Sequence, residues 1–402
     1  MSRDLKMITL ALFLWGCGEG LFFYIMPLYM QQLGATPPEV GAVLGLAAFL
    51  AACSFIPGGL LADRFDAKKV MIWGWAIGAV ASLGMGLATT WHWFVPWILI
   101  YNVSAYCIPA INTYVVEASG DLPLEHTITM TFAGYAAGSI ISPFIGGRLS
   151  AVLHDTAPLF VIGALIFGLS FLLVLSVNSH APHLNYAKQR DHSLRRQLTR
   201  LRPLTFTYLR LFFVFFAAII GTILPANFLG ALHWKIDEVN SLAGTASAIG
   251  ALLLSLALGR LAAGRRRRGL LLGQALMFMS MACFIASTPE LRGLSIAAYF
   301  LLGALPTLRE LSNAQLAGQV DHDMRGTALG LNETLFALAR SIAALLAGSL
   351  FALDPRAPFI ASLVLIPIGL VVIVRLQPPV TREEFVVMAT ASNVILETIE
   401  DE

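Results

Sequence analysis

Gly59-Leu60-Leu61-Ala62-Asp63-Arg64-Phe65-Asp66-Ala67-Lys68-Lys69 is a short charged turn between two long apolar segments. A second turn, Gly259-Arg260-Leu261-Ala262-Ala263-Gly264-Arg265-Arg266-Arg267-Arg268, follows about 200 residues later and is flanked in the same way. One basic turn therefore occurs in each half of a hydrophobic chain. That arrangement predicts a duplicated membrane fold with both turns on one face of the bilayer.

Composition points the same way. Of the 402 residues 57% are hydrophobic and only 12% charged, with a mean hydropathy of +0.75. Soluble domains carry about 25% charged residues, so an ordinary soluble protein is excluded. The structural unit is the spanning helix of roughly 20 apolar residues. Continuous rather than alternating apolar runs exclude a β-barrel. Cys17, Cys53, Cys107 and Cys283 all lie inside apolar runs without metal-ligand spacing, which argues against a disulfide framework and against a metal site. Met1 to Lys6 is short and charged, and the apolar run after it reaches about Leu33, too long for a signal-peptide core; an uncleaved first span is expected.

Apolar segments fall at about 7–33, 40–62, 70–90, 93–117, 127–153 and 157–178, then at about 208–232, 240–262, 268–287, 291–316, 326–353 and 356–376. The predicted fold is therefore an all-α polytopic membrane protein of twelve transmembrane helices. Its expected parts are a six-helix bundle over 1–178, a basic linker over 179–207, a second six-helix bundle over 208–376 and an acidic tail over 377–402. The linker holds Lys188, Arg190, Arg195, Arg196, Arg200 and Arg202 against one acid, Asp191. It reads as a solvated, headgroup-facing segment rather than a nucleic-acid site. Placing the termini and the loops after even-numbered helices on one side puts nineteen Lys and Arg there, from Arg3 to Arg382. The other side has four: Arg148, Lys235, Arg292 and Arg356. Cytoplasmic termini follow from the positive-inside rule, and Trp91, Trp93, Trp97 and Trp234 form an aromatic belt on the opposite side. The halves also match away from the turns: Ser139 to Gly146 aligns with Ser341 to Gly348 at nearly the offset of the basic turns.

The first turn resembles the Gly-x-Leu-Ala-Asp-Arg-x-Gly-Arg-Lys stretch between the second and third helices of the major facilitator superfamily. The resemblance implies two pseudo-symmetric six-helix halves and a conformational latch made of Gly59, Asp63, Arg64 and Lys68 with Arg325 at the start of the eleventh helix. Gly59 is expected to let the second helix pack closely on the eleventh, and Asp63 to face the positive end of that helix. Asp66 stands where the family has Gly, and Ala263 replaces the acid in the second copy. Gly138, Pro143, Gly146 and Gly147 resemble the fifth-helix motif of proton-coupled drug antiporters, with Ser142 where those have Gly; a generic small-residue packing face explains them equally well.

Charges inside spans cost several kcal/mol unless paired or hydrated, which makes them candidates for function. Glu19 lies in the first span among Gly16, Gly18 and Gly20, which are expected to leave room beside it. In the family the first, fourth, seventh and tenth helices line the cavity, which aims Glu19 at substrate as a proton carrier; a structural acid bonded to a neighbouring helix is the alternative. Glu310 and Glu333 are the next acids. Arg309 and Glu310 are adjacent, about 100° apart around a helix, so one is expected to face the cavity and the other to pair with Arg340 or Glu333. Asn102, Tyr106, Asn112 and Asn227 are further cavity candidates. No Walker loop, G-x-S-x-G or zinc motif appears, so neither an enzyme nor a cofactor is expected.

The resulting expectation is a secondary transporter in a cell membrane, of the bacterial inner type, exporting a small organic compound in exchange for protons. It is expected to act as a monomer, with substrate, proton and membrane lipid as its partners. Proton-coupled uptake, facilitated diffusion and a transport-inactive sensor are the alternatives. The topology makes a direct prediction: Ser193→Cys and Ala88→Cys, each as a single added cysteine, react with an impermeant thiol reagent from opposite faces. Labelling of Ser193→Cys from outside intact cells overturns it.

Overall fold

The computed structural model describes residues 2–119, 124–179, 201–262, 266–317, 319–320 and 325–375. Among the described residues are twelve apolar helices: α1 (Arg3–Gln32), α2 (Pro37–Arg64), α3 (Ala67–Gly86), α4 (Trp91–Val115), α5 (Leu124–Leu153), α6 (Ala157–Ser176), α7 (Arg202–Ala231), α8 (Ile236–Leu261), α9 (Arg266–Ala286), α10 (Arg292–Asn313), α11 (Arg325–Leu353) and α12 (Ala357–Arg375). Eleven are long and apolar enough to cross a membrane, and the twelfth contains the shorter apolar stretch Ala357–Ile373. Most of the expected linker, the tail and part of the second basic turn lie outside the described residues.

Local chemistry sets the helix ends. Thr36 opens α2 with its amide and hydroxyl both bonded to Glu39 Oε2 at 2.7 Å, and Pro37 starts the first turn, where its missing N–H costs nothing. Asp66 caps α3 by accepting from the Lys68 amide at 2.9 Å. The aspartate that departs from the family pattern therefore has a local role: it satisfies an amide that a glycine would leave open.

Among the described residues five helices are interrupted: α8 carries a π-helical stretch at Val239–Gly244, and the other four are every third one. A 3₁₀ turn breaks α1 at Phe23–Ile25, α4 at Ser104–Cys107 and α7 at Ile220–Thr222, while α10 breaks at Gly303. Pro27, Pro109, Pro225 and Pro306 follow the breaks within about a turn, and Pro27 and Pro109 recur as Pro225 and Pro306 at about the spacing of the two basic turns. Proline removes a backbone donor and frees a carbonyl one turn back. It does not suffice alone, because Pro57, Pro143 and Pro367 sit in continuous helices. In a bilayer such irregular backbone persists where it is covered by protein or lines a cavity.

Within the first half α1 packs on α5 and α6, and α3 on α6; within the second, α9 packs on α10 and α12. The halves meet along α2–α11 and α5–α8. Small residues make both seams. A Cβ on Gly41 falls 2.8 Å from Gly348 Cα, and one on Gly45 falls 2.9 Å from the Ser341 carbonyl. On the other seam, a Cβ on Gly147 falls 2.6 Å from the Ser241 amide, and one on Gly244 falls 3.2 Å from Pro143 Cβ. Gly41 and Gly45 form a G-x-x-x-G pair, the spacing that lets helix backbones approach in lipid. Polar bonds reinforce the seam: Asn227 Nδ2 donates to the Pro27 carbonyl at 3.0 Å and to Gln31 Oε1 at 2.8 Å, and Asn240 Nδ2 donates to the Leu21 carbonyl at 2.6 Å. All of these contacts sit toward the loop face that carries Trp91 and Trp234. That tryptophan face is closed.

Because the atoms facing Gly41 are backbone, a larger residue there separates α2 from α11 instead of displacing a side chain. Gly41→Leu is expected to destabilise the purified protein by about 1–3 kcal/mol, the usual range for overpacking. Gly168→Leu is the control, since a Cβ there meets nothing within 4 Å. Thermal unfolding in detergent checks this; equal melting temperatures for the two variants remove the tight seam.

Candidate functional site

Close approach of α1 and α5 builds the site. A Cβ on Gly16 runs into the Tyr135 carbonyl, one on Gly138 lies 2.7 Å from the Cys17 amide, and one on Gly134 falls on the Thr9 carbonyl. Backbones this close bring the Tyr135 hydroxyl to Glu19, where it donates to Oε2 at 2.8 Å. The glycines around Glu19 therefore do not leave open space, contrary to the sequence expectation. Gly18 is filled by the Phe167 ring, 2.7 Å from an added Cβ, and Gly20 by Ser142 Cβ, also at 2.7 Å. They are packing surfaces, and they fix where the carboxyl points.

Glu19 is half-buried at the start of the α1 break. Aromatic side chains surround it. Trp15 stacks on Phe167 with centroids 4.0 Å apart, and Tyr101 lies parallel to both rings at just over 6 Å. The Tyr101 hydroxyl is buried beside Glu19 and Trp15 and has no hydrogen-bond partner among the described residues. Tyr24, further along α1, interacts with Ser247 of α8 and with the Glu19 charge. From the other half, Arg340 of α11 interacts electrostatically with Glu19 and with Arg309 of α10. Its side chain is exposed. An arginine that feels charges on both halves faces the space between them rather than lipid.

The next layer joins α10 to α11. Arg309 donates to Glu333 Oε2 through Nε at 2.7 Å and through Nη2 as well. Asn313 Nδ2 donates to the remaining oxygen, Oε1, at 2.8 Å, and Asn332 Nδ2 donates to Asn313 Oδ1 at 2.7 Å. The Arg309 guanidinium also lies 5.1 Å from the centroid of the Phe336 ring. Both oxygens of Glu333 are thus engaged and Arg309 is paired; of the two adjacent charges, Glu310 is the one left exposed and without a hydrogen bond.

The other candidates are dispersed. Asn102 is half-buried and donates to its own helix at Ile98, 2.9 Å away, and Tyr106 presents its carbonyl to Gly58. Asn112 is exposed on α4. Asn227 lines no open cavity: it is 1% exposed and bonded within the closed seam, because the α7 break turns it toward Pro27 and Gln31 of α1. Gly138 faces α1, Gly147 faces α8, and Gly146 touches both. Lys68 begins α3 half-buried. Gly59, Asp63 and Arg64 end α2 and Arg325 begins α11, with side chains outside the described set. A tight α2–α11 approach is present at Gly41 and Gly45; the expectation at Gly59 falls outside the described side chains. Tyr135 and Asn240 carry no motif that singles them out, whereas Arg340 is marked by its position: seven residues after Glu333, it shares one face of α11 with Glu333 and Phe336.

A family model described as the Major Facilitator Superfamily matches residues 8–303 and 208–387. The chain belongs to the major facilitator superfamily. It is similar to an uncharacterized MFS-type transporter of Methanocaldococcus jannaschii, 26% identical over 41% of this chain and 43% of that one. It is also similar to the multi-drug resistance efflux pump PmrA of Streptococcus pneumoniae, 23% identical over 42% and 44%, and to the multidrug resistance protein MdtG of Salmonella paratyphi A, 28% identical over 43% and 44%. The matched stretch is thus less than half the length of these relatives. Among solved structures, the nucleoside transporter NupG superposes with a TM-score of 0.72 at 18% identity, over 93% of this chain and 98% of that one. A bacterial homologue of the human lysosomal transporter Spinster, inward-facing and unoccupied, superposes at 0.69 with 16% identity, over 93% and 97%. These likenesses are of fold. The chain is a multi-pass membrane protein of this superfamily.

The Arg309–Glu333 pair is testable by itself. Hydrogen bonds to charged groups contribute about 1.5–3 kcal/mol, reduced by the partial exposure of both side chains. A double-mutant cycle with Arg309→Met and Glu333→Gln is expected to give a coupling energy on the order of 1 kcal/mol in unfolding. Strict additivity of the two substitutions removes the pair as a tie between α10 and α11.

Proposed function

We propose that this chain carries a small amphipathic organic compound across the membrane by proton-coupled alternating access, and that Glu19 takes and releases the proton. The observation that carries this is the placement of Glu19. It is a carboxyl within a span, held by one tyrosine hydroxyl, beside an interrupted helix and opposite a cation of the other half. A charge at such depth is costly to keep and therefore suited to being neutralised and restored during a cycle.

The closed tryptophan face supports alternating access. With the basic face in the cytoplasm, as the excess of Lys and Arg supports, the described conformation is one that opens inward. Its seam bonds, Asn227 to α1 and Asn240 to Leu21, have to break for the opposite state. Asp63, Arg64, Lys68 and Arg325 stand at the ends of α2, α3 and α11 on the other face, where a latch acts once that face closes.

Direction depends on whether proton and compound occupy the site in turn or together. The two efflux-pump relatives support export in exchange for protons. The electrostatic interaction of Arg340 with Glu19 across the halves supports movement of both in one direction. Compound-dependent proton flux in proteoliposomes under an imposed pH gradient separates these: counter-directed flux supports exchange and co-directed flux supports cotransport.

Glu19→Gln preserves shape and hydrogen bonding but cannot titrate. Gradient-driven accumulation is expected to be lost while downhill exchange survives. If concentrative transport persists with its pH dependence intact, Glu19 is not the coupling residue and Glu310 becomes the next acid to test.

A further inference from the structure

Four charged side chains approach the space between the halves, and three of them are held by hydrogen bonds. Glu19 accepts from Tyr135, while Arg309 and Glu333 bind each other. Arg340 makes no hydrogen bond among the described residues, although its side chain is exposed and it interacts with both Glu19 and Arg309.

Glu310, exposed beside Arg309, is a fifth charge; among the other four the charges balance in only one protonation state. Arg309 and Glu333 neutralise one another. Glu19 and Arg340 do so only while Glu19 is ionised. A guanidinium does not release its proton, so protonating Glu19 leaves Arg340 as an uncompensated cation within a span. An anionic group arriving at that moment restores neutrality. We propose that Arg340 is the docking point for an anionic group on the transported compound, and that the anion and the proton on Glu19 occupy the site together. This inference rests on the reading of Glu19 as the proton site.

Geometry narrows the compound. A planar guanidinium matches a carboxylate or sulfonate with two parallel hydrogen bonds. The tyrosines beside Glu19 offer ring surface for an aromatic body. A bare cation is disfavoured while Glu19 is protonated, because it then meets the uncompensated Arg340. Aromatic carboxylates and sulfonates are therefore the substrate class. Loading both ligands leaves the net charge of the site unchanged, and it moves compound and proton in one direction.

The titratable groups around the site are few. The groups facing Glu19 are Tyr135 on α5, Tyr101 on α4, Tyr24 on α1 and Arg340 on α11; α6 carries no titratable residue along Ala157–Ser176. Arg340 faces Glu19 and Arg309. Tyrosine and arginine ordinarily keep their protons across the pH range of a cellular gradient; Glu310, exposed beside Arg309, is the further carboxyl that can change there, and the pH dependence of Glu19→Gln separates the two.

The test is calorimetric titration of the purified full-length protein with benzoate, and with benzylamine as its charge-reversed counterpart, from about pH 5 to about pH 8. Benzoate is expected to bind and benzylamine not to. Benzoate affinity is expected to fall as pH rises, with a limiting slope of about tenfold per pH unit for one linked proton. Arg340→Gln is expected to weaken benzoate roughly ten- to a hundredfold, with partial retention in Arg340→Lys and melting temperatures near that of the wild type. Glu19→Gln is expected to keep benzoate binding and to flatten its pH dependence. Undiminished benzoate binding by Arg340→Gln, a preference for benzylamine, or no binding of benzoate at millimolar concentration each overturns the anion site. If Arg340→Gln loses benzoate but Glu19→Gln keeps the pH slope, the anion site stands and Glu19 fails as the proton site. If Glu19→Gln abolishes pH-dependent transport while Arg340→Gln binds benzoate normally, the proton site stands and the anion site fails.

Discussion

The close contact of α1 with α5 is the constraint on which the site depends. Lipid offers no hydrophobic drive for helices to associate, so they must gain by fitting together. Gly16, Gly134 and Gly138 let the two backbones touch, and no side chain is left between them to adjust their spacing. That distance, in turn, sets the reach of Tyr135 to Glu19. A residue with a Cβ at Gly16 pushes the helices apart and takes the hydroxyl away from the carboxyl. Packing and chemistry are here one feature.

Charge placement follows a graded pattern through the space between the halves. The Arg309–Glu333 pair is saturated with hydrogen bonds and joins two helices of one half. Glu19 and Arg340 sit on opposite halves, with a single hydrogen bond between them and their surroundings. A pair within one half moves as a unit when the halves rock. A pair divided between halves feels every change in their separation. Its energy therefore belongs to the conformational equilibrium, which a ligand biases through its differential contacts with the two states.

The interrupted helices connect these charges to motion. Breaks in α1, α4, α7 and α10 fall near polar or small residues, and in α1 and α7 the segment after the break forms the closed seam through Pro27, Gln31 and Asn227. Seam bonds made to a short terminal segment can be released without unwinding a whole span. The Gly41–Gly348 contact is of another kind: it joins two continuous helices, α2 and α11, and acts as a rigid edge.

Much was legible in the sequence because lipid imposes one-dimensional rules. Twelve segments, two halves and the sidedness of charge follow from apolar length and from the spacing of two basic turns, and none of these requires knowing which helix touches which. The acids and arginines inside spans are equally visible, since each is expensive wherever it sits. Their roles were decided in three dimensions. Glu333 and Arg309 differ from Glu19 and Arg340 only in their neighbours, and those neighbours come from α5, α10 and α11, far apart in the chain. Asn227 has the residue type and the helix of a cavity residue, yet the break in α7 turns it into the seam. Gly16, Gly18 and Gly20 read as space in sequence and are filled by Tyr135, Phe167 and Ser142 in the fold. A helix's sequence states which faces are small, but only the partner's position decides whether a small face is a hole or a contact.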